Sequence, residues 1–406
     1  MNEKNLNSFL KLGYFLDYEC QDYDFSGIDK SLFSEFSEQE LIEYGVKTWT
    51  NVIQNNFEVN QKHVVPISGG LDSRAILAGL LEFTDASNIF TYTFGTPGTY
   101  DFEIGKKLSK EIGTKHISFP LTNHVFSLEE ELEYSKRSDC QTLMFYHPPI
   151  FKILKEFEGS NIWSGYGGDI TAGSHMSDKV LNSETQVKDE FIKKNTFVKS
   201  IDLTNVNDES MYSLISSKFI DSDRLTKIEQ LDFNNRQRKY IEPHVLMSGF
   251  DYKTPFLDSS WFNFILSVDN KYRKDAVLYK NILLNAYPKL FNYPVSAYLG
   301  LPMNASGSEI FARKLSNKFK MGISKVYPYF VNPKTNYLDF NEGLRTKHDL
   351  KSTVYGCVMD LKKRNLMDWI NIDDIWNKHQ NKQANYADAL VILASLEIHL
   401  KNGRKI

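Results

Sequence analysis

The chain has 406 residues, 41% of them apolar and 24% charged, which is the composition of a globular protein with a full hydrophobic core. A net charge of −3 gives no basic footprint for nucleic acid, and no apolar stretch approaches the ~18 residues of a membrane span. The first six residues lack a secretory layout, and only Cys20, Cys140 and Cys357 occur, so we predict a cytoplasmic protein without disulfides or a CxxC metal site.

Four short apolar runs predict the strands of one sheet, at residues 64–67, 89–94, 116–119 and 161–164. Helical patterns lie between them, including a charged amphipathic one at residues 101–112 that Gly113 closes. Strands that alternate with helices indicate an α/β fold, in which a parallel sheet carries helices on both faces.

The rest of the chain predicts helices around this core. Residues 1–60 read as a helical N-terminal extension packed on the core, with the clearest helix at residues 38–53. Residues 61–176 form the predicted α/β core. Residues 177–406 are predicted to be a mainly helical region that completes the substrate pocket, with a polar loop at 204–209 and a helix at 387–399.

A candidate phosphate-binding loop follows the first predicted strand and opens a helix: Ser68-Gly69-Gly70-Leu71-Asp72-Ser73. Glycines let backbone N–H groups approach phosphates, and a helix N-terminus favours an anion. The two serines can donate hydroxyls, and Asp72 can bind the Mg²⁺ that accompanies ATP. A Gly-Gly turn with an aspartate is often only a turn and a cap, but the complete hexapeptide between a strand and a helix favours phosphate binding.

This loop resembles that of the PP-loop ATP pyrophosphatases, which have an adenine nucleotide α-hydrolase-like fold and split ATP into AMP and pyrophosphate. Three later segments resemble the synthetase domain of the asparagine synthetase and β-lactam synthetase family: Ser164-Gly165-Tyr166-Gly167-Gly168-Asp169, Lys253-Thr254-Pro255-Phe256-Leu257-Asp258 and Lys280-Asn281-Ile282-Leu283-Leu284. They occur in the family's order, although Lys253 and Leu284 stand where the family has arginine.

The resemblance implies ATP and Mg²⁺ as cofactors and assigns roles by position. Asp72 and Asp169 would be the Mg²⁺ ligands, and Lys280 would meet the pyrophosphate. The loop from Ser68 to Ser73 and Gly165 of the second loop would bind the nucleotide. Adenine and ribose contacts are expected at the strand ends near Ile67 and Phe94, since ligands sit at the carboxyl ends of parallel strands.

Two departures from the family bear on the amine. About 60 residues precede the phosphate loop and residue 2 is Asn, so we expect no glutaminase domain; ammonia would come free or from a separate glutaminase, or the nucleophile is another amine. Tyr166 stands where asparagine synthetase has glutamate and where β-lactam synthetases have a tyrosine paired with a glutamate. A free tyrosine has a pKa of ~10, so it needs a partner to act as a base, and Glu242 is the candidate.

The third departure weakens the likeness. The family carries an R-x-K segment whose lysine stabilises charge in the second half-reaction, and its positions fall here on Pro294 and Ser296. Another cation enters the site, the acyl-transfer step differs, or the step has been lost.

The sequence therefore predicts an ATP-dependent amide-forming ligase that adenylates a small-molecule or glycan carboxylate and transfers the acyl group to ammonia or an amine, in surface-polysaccharide or natural-product biosynthesis. The alternatives are a catalytically degenerate nucleotide-binding scaffold or partner subunit, and another PP-loop reaction such as tRNA thiolation. Residues that could line the substrate pocket are Tyr146, His147, His175 and Arg236.

Overall fold

The fold is taken from a computed structural model that describes residues 2–177, 179–220, 222–324, 332–334 and 337–406, with the backbone alone for 320–324. Five parallel strands form one sheet in the order β3-β2-β1-β4-β5. Their bounds are His63–Pro66 (β1), Ile89–Gly95 (β2), Lys115–Pro120 (β3), Asn161–Trp163 (β4) and Asp251–Lys253 (β5). The predicted parallel α/β sheet is confirmed.

The α-helices of the described residues lie between and after the strands. In chain order they are α1 (Glu3–Leu12), α2 (Glu38–Asn56), α3 (Asp72–Leu80), α4 (Tyr100–Ile112), α5 (Leu128–Arg137), α6 (Ile150–Phe157), α7 (Gly168–Thr171), α8 (Glu184–Asn195), α9 (Lys227–Leu231), α10 (Glu242–Val245), α11 (Ser259–Ser267), α12 (Asn270–Arg273), α13 (Val277–Ala286), α14 (Pro288–Phe291), α15 (Gly307–Ser324), α16 (Phe340–Thr346), α17 (His348–Arg364), α18 (Ile372–Gln380) and α19 (Ala387–Lys401). A π-helical segment, Asp232–Ile241, joins α9 to α10.

The strand order places a topological switch point between β1 and β4. From β1 the chain builds β2 and β3 on one side, and it then crosses back to place β4 and β5 on the other. The loops that follow β1 and β4 therefore leave the same edge of the sheet in opposite directions and open a crevice there, which is the usual place for a ligand in an open parallel sheet.

Successive residues of β1 face opposite sides of the sheet, and each side has its own helical cover. Val65 belongs to the core that includes residues of α2, α3, α11 and α13, such as Trp49 and Trp261. Val64 belongs to a second core, in which α6 contributes Phe157. Helices on both faces are required because both faces of the short central strand are buried.

The C-terminal region is mainly helical and has its own core around α19. Nearly every side chain of α19 is buried. Helix α1 contributes Phe9 to this core, whereas α2 packs on the sheet side. Only α1 and α2 are α-helical in the described part of the first 60 residues, so the predicted helical extension is irregular over residues 13–37. Among the described residues, no helix combines the length and the apolar character needed to cross a membrane.

Arg74, in the first turn of α3, binds the C-terminal end of α14 and the residues that follow it. Its fully buried guanidinium donates hydrogen bonds to the carbonyl oxygens of Leu290 and Tyr293, both at 3.2 Å, and of Pro294 at 2.6 Å. Two residues further on, the Ser296 N–H donates to the Gly69 carbonyl at 2.9 Å. The phosphate loop is thus held from beneath by a segment more than 200 residues away in sequence.

We expect Arg74→Met to lower the free energy of unfolding by about 3 kcal/mol or more, because three buried carbonyls lose their donors at once. Arg74→Lys keeps the charge but not the fork of donors, so its loss should be smaller. The measurement is the urea midpoint at constant slope. An Arg74→Met protein with the wild-type midpoint would show that these bonds contribute no net stability.

Candidate active site

The loops after β1 and β4 meet at Asp72, the first residue of α3. The Tyr279 hydroxyl donates a hydrogen bond to Asp72 Oδ1 at 2.9 Å, and the backbone N–H of Asp169 donates to the same carboxylate. Asp169 lies in the first turn of α7, directly after the glycine loop. The two predicted Mg²⁺ ligands are therefore neighbours.

The glycines of the second loop permit this approach. A Cβ added at Gly168 would lie 2.3 Å from Asp72 Cγ, and one at Gly165 would lie 3.1 Å from Asp72 Cβ. Gly167 has φ of +88°, a conformation that other residues adopt only with strain. The Gly-Tyr-Gly-Gly pattern is thus needed for the second loop to reach the first.

We expect Gly168→Ala to displace the Asp72 carboxylate and to abolish binding of Mg-ATP, measured by isothermal titration calorimetry. The new methyl group cannot occupy the same space as the carboxylate, and both belong to short, well-packed turns. The matched control is Gly356→Ala in α17, where an added Cβ meets nothing within 4 Å and a gain of about 1 kcal/mol in stability is expected. Unchanged binding by a folded Gly168→Ala protein would contradict this geometry.

The electrostatics of the pair favour a cation. Burial raises the pKa of Asp72 well above its usual value, and the negative charge of Asp169 raises it further, although the Tyr279 hydrogen bond acts in the other direction. Two carboxylates that repel each other in a partly dry site are stabilised by a divalent ion between them. Within the described part of the chain, no group of three or more His, Cys, Asp or Glu residues could hold a metal ion.

A cavity of about 540 Å³ opens over these loops at the carboxyl edge of the sheet. The predicted nucleotide and metal residues that line it are Ser68, Gly70, Asp72, Ser73, Phe94, Gly165 and Asp169. Its remaining wall is largely aromatic and aliphatic, with Tyr92, Tyr252 and Ile153 as examples. A cavity of this size suits a nucleotide or a substrate of similar bulk.

Three of the residues predicted to bind the nucleotide do not line this cavity. Ile67 lines a smaller adjoining space of about 260 Å³ together with Ser68 and Phe94. The Gly69 carbonyl accepts the bond from Ser296, and Leu71 packs against the core beside the sheet.

Tyr166 and Glu242, paired from the sequence alone, lie together. Tyr166 lines the cavity, and its hydroxyl is 3.4 Å from Glu242 Oε2 and 3.0 Å from the Gln237 carbonyl. Burial is the largest cause that raises the pKa of the Tyr166 phenol, and the neighbouring Tyr23 and Glu242 raise it further, so the phenol is protonated at neutral pH. Arg238 pairs with Glu242 at 2.7 Å, one turn earlier on the same helical segment.

Lys280 does not reach the cavity wall in this structure. Its ammonium donates to the Asp275 carbonyl at 2.7 Å and lies 5.9 Å from the centre of the Tyr298 ring. Its helix, α13, is nevertheless the one that brings Tyr279 to Asp72. The Lys280 side chain points away from the cavity, and the predicted contact with pyrophosphate would require it to rotate.

The residues to which the sequence assigns the family's R-x-K positions, Pro294 and Ser296, lie beside the cavity and are neutral. Ser296 lines the cavity, and the Pro294 carbonyl is held by Arg74. Among the lining residues that the structure describes, none is lysine or arginine. The substitution read from the sequence therefore has a direct consequence for the charge of the site.

The four residues suggested for the substrate pocket lie outside the described cavity wall. His147 is bonded to the buried Glu131 at 2.9 Å, and His175 pairs with Asp232 at 2.7 Å. Tyr146 lines a separate cleft near Asp388, and the Arg236 guanidinium lies 6.0 Å from the Tyr240 ring centre.

Several lining or neighbouring residues were not identified from the sequence. The Asp101 carboxylate lies beside the phosphate loop, since a Cβ at Gly69 would be 3.1 Å from its Oδ1. His244 lines the cavity and its Nδ1 is 3.0 Å from the Tyr134 hydroxyl. Burial, aided by His147, lowers the pKa of His244 to about 4, so the ring is neutral. For His244 the only sequence signal was its position two residues after Glu242.

The fold and the loops together define a PP-loop α/β protein whose candidate site lies at the switch point. The asparagine synthase family model matches residues 61–290, more than half of the chain, so the protein belongs to the asparagine synthase family. This confirms the resemblance drawn from the motifs. At the level of the family, the chemistry is ATP-dependent amide formation.

The curated relatives are distant and longer than this chain. A glutamine-hydrolyzing asparagine synthetase of Arabidopsis thaliana is 20% identical over 249 residues, which cover 53% of this chain and 43% of that protein. One from Saccharomyces cerevisiae is 21% identical over 240 residues, which cover 55% of this chain and 39% of the relative. The match thus spans less than half the length of each relative.

Proposed function

We propose that the protein is an ATP-dependent ligase that adenylates a carboxylate and transfers the acyl group to ammonia or an amine. The observation that carries the proposal is that one cavity brings the Asp72 and Asp169 carboxylates together with Tyr166, whose hydroxyl contacts Glu242. The first pair suits Mg²⁺ and phosphates, and the second suits removal of a proton from an attacking amine.

In the first step the phosphate loop from Ser68 to Ser73 would hold the β- and γ-phosphates against the N-terminus of α3. Asp72 and Asp169 would hold Mg²⁺, which supplies neutralisation of phosphate charge. The substrate carboxylate oxygen forms a bond to the α-phosphorus, the bond from that phosphorus to the bridging oxygen breaks, and pyrophosphate leaves. A rotated Lys280 would accompany the leaving group.

In the second step the amine nitrogen forms a bond to the acyl carbon and AMP leaves with the electron pair of the broken C–O bond. The amine proton passes to the Tyr166 oxygen as the Tyr166 proton passes to Glu242. This relay avoids a free phenolate in a buried site, where burial disfavours the charge.

The substrate proposed is a small-molecule or glycan carboxylate of a biosynthetic pathway in the cytoplasm, in surface-polysaccharide or natural-product assembly. The amine would be free ammonia, ammonia from a separate glutaminase, or a second substrate. No lysine or arginine lines the described cavity wall, so the aromatic and hydroxyl groups of that wall would recognise the acid.

The test is exchange of labelled pyrophosphate into ATP with Mg²⁺ across a panel of uronic acids, amino acids and aromatic acids, followed by AMP release with ammonium or hydroxylamine. Exchange that depends on an acid supports adenylation, and hydroxamate or amide formation supports acyl transfer. Binding of ATP with no exchange for any acid would contradict the ligase.

One observation favours a second candidate function, a nucleotide-binding scaffold or partner subunit. The cavity has a neutral Ser296 where the family's lysine acts, and Lys280 is turned to a backbone carbonyl. A scaffold would bind Mg-ATP and would change its affinity for a partner protein without producing AMP.

A further inference from the structure

Tyr23 lies directly behind the Tyr166 and Glu242 pair, although it belongs to the irregular segment between α1 and α2. Its hydroxyl is 2.6 Å from the Tyr166 hydroxyl. Tyr23 and Tyr166 are 143 residues apart in sequence. The segment that precedes the α/β core therefore reaches the groups proposed for acyl transfer.

The direction of the hydrogen bonds follows from the partners. The Gln237 carbonyl can only accept, and Tyr166 has a single proton to donate, so Tyr166 donates to Gln237 or Glu242. The short contact between the phenols is therefore satisfied when Tyr23 donates to the Tyr166 oxygen. Such a bond fixes the position of the Tyr166 oxygen.

Tyr23 is itself held on three sides. The Arg238 guanidinium lies 3.9 Å from the centre of its ring, while Phe262 stacks against the ring with centres 5.8 Å apart. Its backbone N–H donates to Asn234 Oδ1 at 3.0 Å. Since Arg238 also pairs with Glu242, one cation orients both the carboxylate and the ring that supports Tyr166.

We propose that Tyr23 is a positioning residue for acyl transfer, which holds the Tyr166 hydroxyl in line with Glu242. The inference rests on the proposed function and assigns part of that function to the N-terminal segment. Tyr23 does not line the main cavity as described, so it acts through Tyr166 and does not touch the acyl group.

The experiment compares wild type with Tyr23→Phe, which keeps the ring, its stacking and its contact with Arg238. Pyrophosphate exchange with the best acid of the panel reports adenylation, and hydroxamate formation from hydroxylamine reports acyl transfer. We expect hydroxamate formation to fall about tenfold, the value of one hydrogen bond that positions Tyr166, while exchange is retained. A purely structural role would lower both rates together.

The matched control is Tyr18→Phe on the same segment. The Tyr18 hydroxyl donates a hydrogen bond to Asp139 at 2.6 Å, and neither residue lines the cavity. It should leave both rates at the wild-type level. The inference is overturned if Tyr23→Phe forms hydroxamate as fast as wild type, or if exchange and hydroxamate formation fall by the same factor. Neither result contradicts the proposed ligase function. Absence of exchange in the wild type would instead contradict the proposed function and the inference with it.

Discussion

Asp72→Asn is expected to lower acid-dependent pyrophosphate exchange by roughly 10³-fold, because the variant would lose half of the charge proposed to hold Mg²⁺ on the phosphates. The stability of the folded protein without nucleotide should not fall. The wild-type carboxylate is costly to bury, as its raised pKa shows, and a neutral amide can still accept the Tyr279 hydrogen bond.

Thermal unfolding separates these two effects. Without nucleotide, we expect the Asp72→Asn protein to melt at or above the wild-type temperature, because a raised folded-state pKa means that the ionised carboxylate destabilises the fold at neutral pH. With saturating Mg-ATP, only wild type should gain stability, in proportion to the logarithm of ligand over dissociation constant. Asp85→Asn, at an exposed aspartate beyond the C-terminal end of α3, is the control that should change neither measurement. Full exchange activity in Asp72→Asn would remove the metal-binding role.

The central sheet was predictable because its signals are local. The strands β1 to β4 are short apolar runs between turn residues. Helix α4 ends at Gly113, as the sequence predicted, and this glycine has the left-handed conformation common at helix ends. Strand β5 was not identified. It has three residues, none fully buried, and becomes a strand only by pairing Asp251, Tyr252 and Lys253 with β4. No local pattern carries that information.

The residues of the candidate site also fall into those that local sequence motifs predict and those that depend on tertiary structure. The phosphate loop and the Asp72 and Asp169 pair follow from motifs whose backbone fixes where the side chains lie. Lys280 shows the limit, since a long flexible side chain on the predicted helix can choose the Asp275 carbonyl over the cavity. Tyr23 could not be predicted at all, because its contact with Tyr166 depends on the path of an irregular segment.

Tyr166→Phe is expected to lower hydroxamate or amide formation by about 10²- to 10⁴-fold, the usual worth of a general base, with pyrophosphate exchange retained. The phenyl ring keeps its place in the cavity wall, so the acid and ATP should still bind. Loss of the hydroxyl removes the acceptor for the amine proton and leaves Glu242 without its link to the reacting nitrogen. The measurement is a single-turnover experiment. The adenylate is first formed without an amine, hydroxylamine is then added, and the decay of the adenylate is followed.

Glu242→Gln completes a double-mutant cycle. If the two groups form one relay, each single variant interrupts the same proton path, and the double variant should be little worse than either one. If Tyr166 only packs against the substrate while Glu242 serves as an independent base, their losses should multiply. Because Glu242→Gln also removes the charge that pairs with Arg238, the Arg238→Met variant is measured beside it; its loss reports the broken ion pair together with the lost contact between Arg238 and the Tyr23 ring. Multiplicative losses would reject the relay, whereas a coupled cycle with intact exchange would place Tyr166 and Glu242 together in the acyl-transfer step.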